Sequence, residues 1–278
     1  MGKKMTENKD KITSILTNET HALSHSIFPL SSKYKPEFVF ENNMGPNVLW
    51  LTEWLVRDMN IVPGMRILDM GCGKAVSSIF LAYEYDVEVW ANDLWISAGD
   101  NWKRICDVGL QKRIFPIHAE AHALPYAENF FDVIISIDSY HYYGTDQLYL
   151  GYLHKFLKPG GEIGIVVPGL YQEFFGKIPE HLTRTQKSGG QFWVWDCCTF
   201  HTAQWWKELW SPYEFIDIQI CDVMPDGGAV WLEWEKSLAA SDVEKMFPSD
   251  VEALEEDKNE NITFVRMSAR RNQIVIEH

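Results

Sequence analysis

From about residue 63 the apolar positions of this chain gather into short unbroken runs: "RILDM", "VEVWAN", "IFPIHA", "DVIISI" and "EIGIVV". Runs of this length, bounded by turn-forming residues, predict strands buried on both faces. Between them the apolar spacing lengthens to every third or fourth residue, in "AVSSIFLAYEY", "ISAGDNWKRICDVG" and "QLYLGYLHKFL". These predict helices, each ended by a glycine, a proline or a polar turn. Strand and helix signals in alternation call for an α/β fold with a parallel sheet covered on both faces. "EFIDIQICDVM" and "NITFVRMSARR" predict two further strands. The stretch between these two, residues 225–260, reads as helix with an acidic, solvated face.

Two segments stand outside the alternation. Residues 1–62 read as a mainly helical N-terminal cap, in which "NVLWLTEWLVRDM" sets Val48, Leu51, Leu55 and Met59 at helical spacing. Residues 63–278 then form the main domain. Within it, residues 169–210 are too many for a plain connection in a compact domain, so they are expected to form a lid or substrate-binding insertion.

A formal net charge of -14 opposes nucleic-acid binding, which draws its affinity from lysine and arginine on phosphate. No apolar run reaches membrane-spanning length, and "MGKKMTENKDKITSIL" lacks the continuous apolar stretch of a secretory signal. The five cysteines, Cys72, Cys106, Cys197, Cys198 and Cys221, are odd in number and form no CxxC pair. Reduced thiols and a cytoplasmic location are therefore expected. Two histidine pairs at i, i+4 spacing, His21 with His25 and His118 with His122, are not in the HExxH pattern of a metal site, and no metal is expected.

The chemistry concentrates at "ILDMGCGKAVSS", residues 67–78. A P-loop fails here twice, because Leu68 stands at its first glycine and Ala75 at its hydroxyl position. The dinucleotide pattern GxGxxG matches Gly71 and Gly73 but meets Val76 at its third glycine. NAD binding is weakened by that mismatch and stays open. "ILDMGCGKA" resembles motif I of the class I S-adenosylmethionine-dependent methyltransferases, although that family usually has a glycine where this chain has Ala75. Asp93, twenty residues after Gly73 at the end of "VEVWAND", the stretch "HAEAHALPYAENFFDVIISIDS", and "FLKPGGEIGIVV" match later motifs of the family in order.

The resemblance covers roughly residues 63–168. It implies a Rossmann-like, seven-stranded, mostly parallel sheet and S-adenosyl-L-methionine as cofactor. It further implies cofactor contacts at Asp69, Gly71, Cys72, Gly73, Asp93, Leu94, Glu120, Ala121 and Asp138. Asp93 would hold the ribose hydroxyls and Glu120 the region of the adenine amino group. Asp69 would orient the loop or the cofactor's amino group, with Asp138 near the methionine end. The arrangement resembles the small-molecule branch that includes cyclopropane-fatty-acid-synthase relatives.

A small organic methyl acceptor follows. In "SIDSYHYYG", His141 is the candidate base by its chemistry and Tyr140 a group to bind or orient the acceptor. Trp193, Trp195, Trp205, Trp206 and Trp210, crowded into the expected lid, suit either core packing or a cover over an apolar or cationic acceptor. Trp95 and Trp102 are expected beside the cofactor, and "ENNMGPNVLW" is expected to close the pocket from the N-terminal side. Two alternatives stay open: a non-catalytic cofactor-binding module, and arsenite methylation with Cys197, Cys198 and Cys221 as soft ligands. Oligomeric state does not follow from the residues.

Overall fold

A computed structural model describes residues 11–273. Seven strands, β1 Arg66–Met70, β2 Glu88–Asp93, β3 Ile114–His118, β4 Phe131–Ile137, β5 Leu157–Leu170, β6 Ile216–Val223 and β7 Ile262–Arg271, form one sheet in the order β3-β2-β1-β4-β5-β7-β6. Neighbours from β3 to β5 are parallel, while β7 runs antiparallel to both β5 and β6. All seven strands coincide with apolar runs in the chain. The fold is the Rossmann-like α/β arrangement of the class I methyltransferases.

Strand side chains alternate between two cores. Ile67, Val89, Val133, Ile135 and Val166 face one; Leu68, Ile134, Ile163, Ile165 and Met267 face the other. The first core is covered by α2 (Val48–Val56), α3 (Val76–Glu84), α4 (Ala98–Asp107) and α8 (Gly227–Ala239). The second is covered by α5 (Tyr149–Leu153) and α7 (Ala203–Trp210). Arg266, buried on β7, donates to both carboxylate oxygens of Asp222 on β6 and to Asp58 after α2, clamping the sheet edge to the N-terminal layer.

Among its described residues, 11–62, the N-terminal region is less helical than its apolar spacing suggests. After the helical residues 11–12 these hold two single-turn 3-10 segments, the short α1 (Pro36–Glu41) and α2, capped by Asn47. Leu49 through Val56 on α2 are buried on every side, because α2 lies between the sheet and the coil of residues 11–35. Buried Glu53 on α2 accepts hydrogen bonds from Leu30 N, Ser31 N and Ser31 Oγ, which fixes that coil without regular structure.

The 169–210 segment divides in three. Gly169 and Leu170 extend β5 and pair with Thr263 and Ile262 of β7. Residues 171–202 cross the carboxyl ends of the strands and include α6 (Glu180–Thr183). α7, capped by Thr202, packs on β6 and β7 as an ordinary crossover helix. Residues 225–260 are more than acidic surface. The inner face of α8 buries Val230, Trp231, Trp234 and Leu238, and α9 (Val251–Asp257) packs beside it.

Candidate active site

At the carboxyl end of β1 the chain turns through two left-handed glycines, Gly71 (φ 70°) and Gly73 (φ 53°). A Cβ on Gly71 would lie 1.9 Å from Ser139 Oγ, and one on Gly73 2.8 Å from Met44 Sδ. Both positions therefore exclude side chains by conformation and by space. Ala75, where the resembling family usually has glycine, also takes a left-handed conformation (φ 61°) and leads into α3.

Two aspartates hold this turn from opposite sides. Asp93 Oδ2 accepts from Gly73 N at 2.8 Å, and its Oδ1 accepts from Trp95 N and Ile96 N at 2.7 Å each. Asp69 lies beneath, fully buried, its Oδ2 accepting from Ser77 Oγ and Ser78 Oγ at 2.6 Å each. Burial pushes the Asp69 carboxyl up to about 6 despite those two donors. Asn101 Nδ2 donates to Gly73 O at 2.9 Å and closes the loop from α4.

The turn opens into a cavity of about 590 Å³. It lies outside the carboxyl ends of β1, β2 and β4, where the strand order reverses and doubly wound sheets leave a crevice. Gly71, Cys72, Gly73, Asp93, Leu94, Glu120, Ala121, Asp138 and His141 all line it. Asp69 and Tyr140 do not. Asp69 reaches the site only through the start of α3. Tyr140 is buried in the opposite core, its ring 5.5 Å from that of Tyr143 and 5.8 Å from those of Trp206 and Trp210. The 3-10 turn Tyr140–Tyr142 sends neighbouring side chains to different places. Tyr140 is thus a packing residue and does not face an acceptor.

The wall after β4 carries unusual electrostatics. Asp138, left-handed at φ 53°, has no side-chain hydrogen bond among the described residues, and burial pushes its carboxyl up to about 8. His141 is buried, its Nδ1 has no partner among the described residues, and burial pulls its pKa down to about 3. Its imidazole is neutral at physiological pH and a weak proton acceptor. On the far side, Glu120 accepts from His122 N and Nδ1 at 2.8 Å each, bonds that hold its carboxyl below the usual range.

The aromatic cover comes from an unexpected helix. None of the five tryptophans between residues 193 and 210 lines the cavity. Trp206 and Trp210 are core residues, Trp193 packs on Phe174 and Phe200, Trp205 stacks on His201 at 3.7 Å, and Trp195 is 83% exposed. The cover is instead Trp231 and Trp234 of α8, with Phe192 and Phe200 from the crossing segment. Trp234 Nε1 donates to Gly45 O at 2.8 Å, joining α8 to the "ENNMGPNVLW" loop, of which residues 42–46 and 48 line the cavity. The signal was present in the sequence: Val230, Trp231, Trp234 and Leu238 follow helical spacing, masked by the acids around them. Trp95 stands at the mouth, whereas Trp102 lies away from it.

The thiols are not gathered. Cys197 Sγ donates to Phe192 O, Cys221 Sγ to Ala203 O, and Cys198 is exposed. Among the described residues no three histidines, cysteines or acids are placed to hold a metal ion, and no helix is long and apolar enough to cross a membrane. The paired histidines are engaged locally, His118 with Leu94 O and His122 with Glu120.

Residues 67–161 match the family model described as a methyltransferase domain. Over 112 residues the chain is 30% identical to phosphoethanolamine N-methyltransferase 1 of Arabidopsis thaliana, covering 40% of this chain and 23% of that protein. Over 134 residues it is 28% identical to the sterol 24-C-methyltransferase erg6 of Schizosaccharomyces pombe, covering 46% and 34%. The chain thus spans less than half the length of the curated relatives it matches. Geranyl diphosphate C-methyltransferase from Streptomyces coelicolor A3(2) superposes with a TM-score of 0.62 at 14% identity, covering 95% of this chain and 97% of that one. At that identity the likeness is one of fold.

Proposed function

We propose, from the premise that residues 67–161 form a class I methyltransferase domain, that this chain transfers the methyl group of S-adenosylmethionine to a small organic molecule. The observation that carries the reading is a single cavity lined by the left-handed glycine turn and by Asp93, whose carboxylate three backbone N–H groups hold in place.

The residues present fit the cofactor. Gly71 and Gly73 bring bare backbone to the cavity wall, so the methionine portion can approach closely. Asp93 Oδ1 is filled by Trp95 N and Ile96 N, whereas Oδ2, with one bond from Gly73 N, keeps a lone pair that suits a ribose hydroxyl. Glu120, Ala121 and Leu94 line the region expected for the adenine. Acidic walls favour a cation. When bound, the cofactor supplies an electrophilic methyl on a sulfonium. What the protein adds is placement in a dry site, since in-line displacement depends on distance and alignment. His141, neutral and unpartnered at Nδ1, orients the acceptor by hydrogen bonding instead of removing its proton.

The partner is then a small molecule, and a surface with net charge -14 is not suited to nucleic acid. Five free cysteines support a reducing compartment such as the cytoplasm. Parallel calorimetric titrations with S-adenosylmethionine, S-adenosylhomocysteine and NAD test the reading. The expected result is saturable binding of the first two and none of NAD; NAD binding alone would return the site to dinucleotide chemistry.

A further inference from the structure

The ionisable side chains of the cavity are lopsided. Beyond Asp93 and Glu120, which are bonded at the cofactor end, the lining includes Asp138, Asp196, Glu235, which accepts from Asp250 N, and Asp250, which accepts from Gln186 Nε2. Against these stand Lys74 and Lys245, with no arginine. Lys74 Nζ donates to the carbonyls of Glu41 and Asn43 and is occupied. Recognition of a phosphate or carboxylate normally uses paired guanidinium or ammonium donors aimed into the pocket. This cavity offers the opposite.

Two independent observations point to a ligand bearing N–H groups and positive charge. The first is unpartnered polarity. His141 Nδ1 is buried and without a hydrogen-bond partner among the described residues, and His141 lines the cavity. A buried polar group left unpaired is costly, so an imidazole nitrogen able to accept marks where a ligand N–H completes the site. The second is the aromatic surface that lines the same cavity as the acids. Tyr142 lies 4.1 Å from the His141 ring, His141 5.8 Å from Phe200, and Phe192 5.3 Å from Trp231. Ring faces beside carboxylates attract a cation through cation–π and Coulomb terms together, most strongly where water is excluded.

We infer, resting on the methyl-transfer reading above, that the acceptor is a protonated amine on an apolar body, bound between Asp138 and Glu235 beneath the rings of α8 and of the crossing segment. Burial raises the carboxyl of Asp138 to about 8 and that of Glu235 to about 7, and a cation seated beside them draws both into the ionised form. For transfer, the ammonium gives its proton to the Asp138 carboxylate, which frees the nitrogen lone pair. That pair forms the new N–C bond as the C–S pair returns to sulfur, so the positive charge passes from sulfonium to nitrogen and a neutral thioether leaves.

The test uses the full chain loaded with S-adenosylhomocysteine and three probes of one shape: phenylpropylamine, phenylpropanol and phenylpropanoate. At about pH 8, where the probe amine is still protonated, calorimetry should show the amine binding at least about tenfold more tightly than the other two. Glu235→Gln should remove most of that preference while leaving S-adenosylhomocysteine affinity within about twofold. Equal or tighter binding of the alcohol or the carboxylate would overturn the inference, as would binding of none of the three, and in both cases the methyl-transfer reading stands. Failure of S-adenosylhomocysteine itself to bind would instead remove the reading on which the inference rests.

Discussion

Three aspartates at strand ends look alike in the sequence and differ entirely in place. Asp93 meets three backbone donors and faces the cavity; Asp138 faces it with no side-chain hydrogen bond among the described residues; Asp69 is sealed beneath the glycine turn. Asp93→Ala removes charge-assisted bonds worth about 1.5–3 kcal/mol each. It should weaken S-adenosylhomocysteine binding by about 100-fold or more by calorimetry, and an unchanged affinity would move the ribose site elsewhere. For Asp69 the prediction concerns stability. Its folded carboxyl titrates at about 6, above its unfolded value near 4, with Ser77, Ser78 and Asp93 as the groups acting on it. Between those two values the unfolded chain ionises first, so stability falls as pH rises, by about 3 kcal/mol in all, and is then level. Asp69→Asn lacks this loss. The difference in denaturation midpoint between variant and parent should shift toward the variant from about pH 4 to about pH 6.5; a difference independent of pH would contradict the buried charge.

The helices that cover the sheet exchange the roles their composition suggested. α7 carries Trp205, Trp206 and Trp210 and looks like a lid, yet Trp206 and Trp210 are fully buried against Tyr140. α8, set among acids, supplies the rings over the cavity and hides Glu235 on its inner face. The distinction can be measured. Trp206→Ala should cost about 3–5 kcal/mol of stability, as expected for a deleted core aromatic. Trp195→Ala, at an 83% exposed position, should stay within about 0.5 kcal/mol. Chemical denaturation of both variants decides; similar losses would mean that Trp195 has a packing role the fold does not show. Helix identity was legible for α2, α3, α4 and α5 because each shows its own apolar stripe. The role of α7 as core and α8 as cover was not, because a tryptophan at helical spacing packs equally well on a sheet or over a cavity.

Across the whole molecule, the cavity joins four separate parts of the chain: the loop after α1, the strand ends, the crossing segment, and α8 with the residues that follow it. A ligand bound there adds contacts that the unfolded chain lacks. S-adenosylhomocysteine at about 100 times its dissociation constant should stabilise the fold by about 2.7 kcal/mol, read as a rise in the thermal midpoint that grows with ligand concentration. A midpoint indifferent to the ligand would show that the cavity does not bind it.

By itself the sequence determined the seven strands, their alternation with helices and the turn at Gly71 and Gly73. These depend on local physics: apolar runs of strand length, helical spacing, and backbone conformations open chiefly to glycine. The resemblance to the class I methyltransferases added the acids at the strand ends, and Asp93 and Glu120 line one cavity with that turn. Only the tertiary structure decided that Tyr140 turns into the core while His141 faces the cavity, that Asp69 lies under the loop, and that α8 and not α7 forms the cover. Each of those depends on which of two apolar environments a side chain enters. Periodicity states that a face is buried; the neighbour that buries it comes from a distant part of the chain.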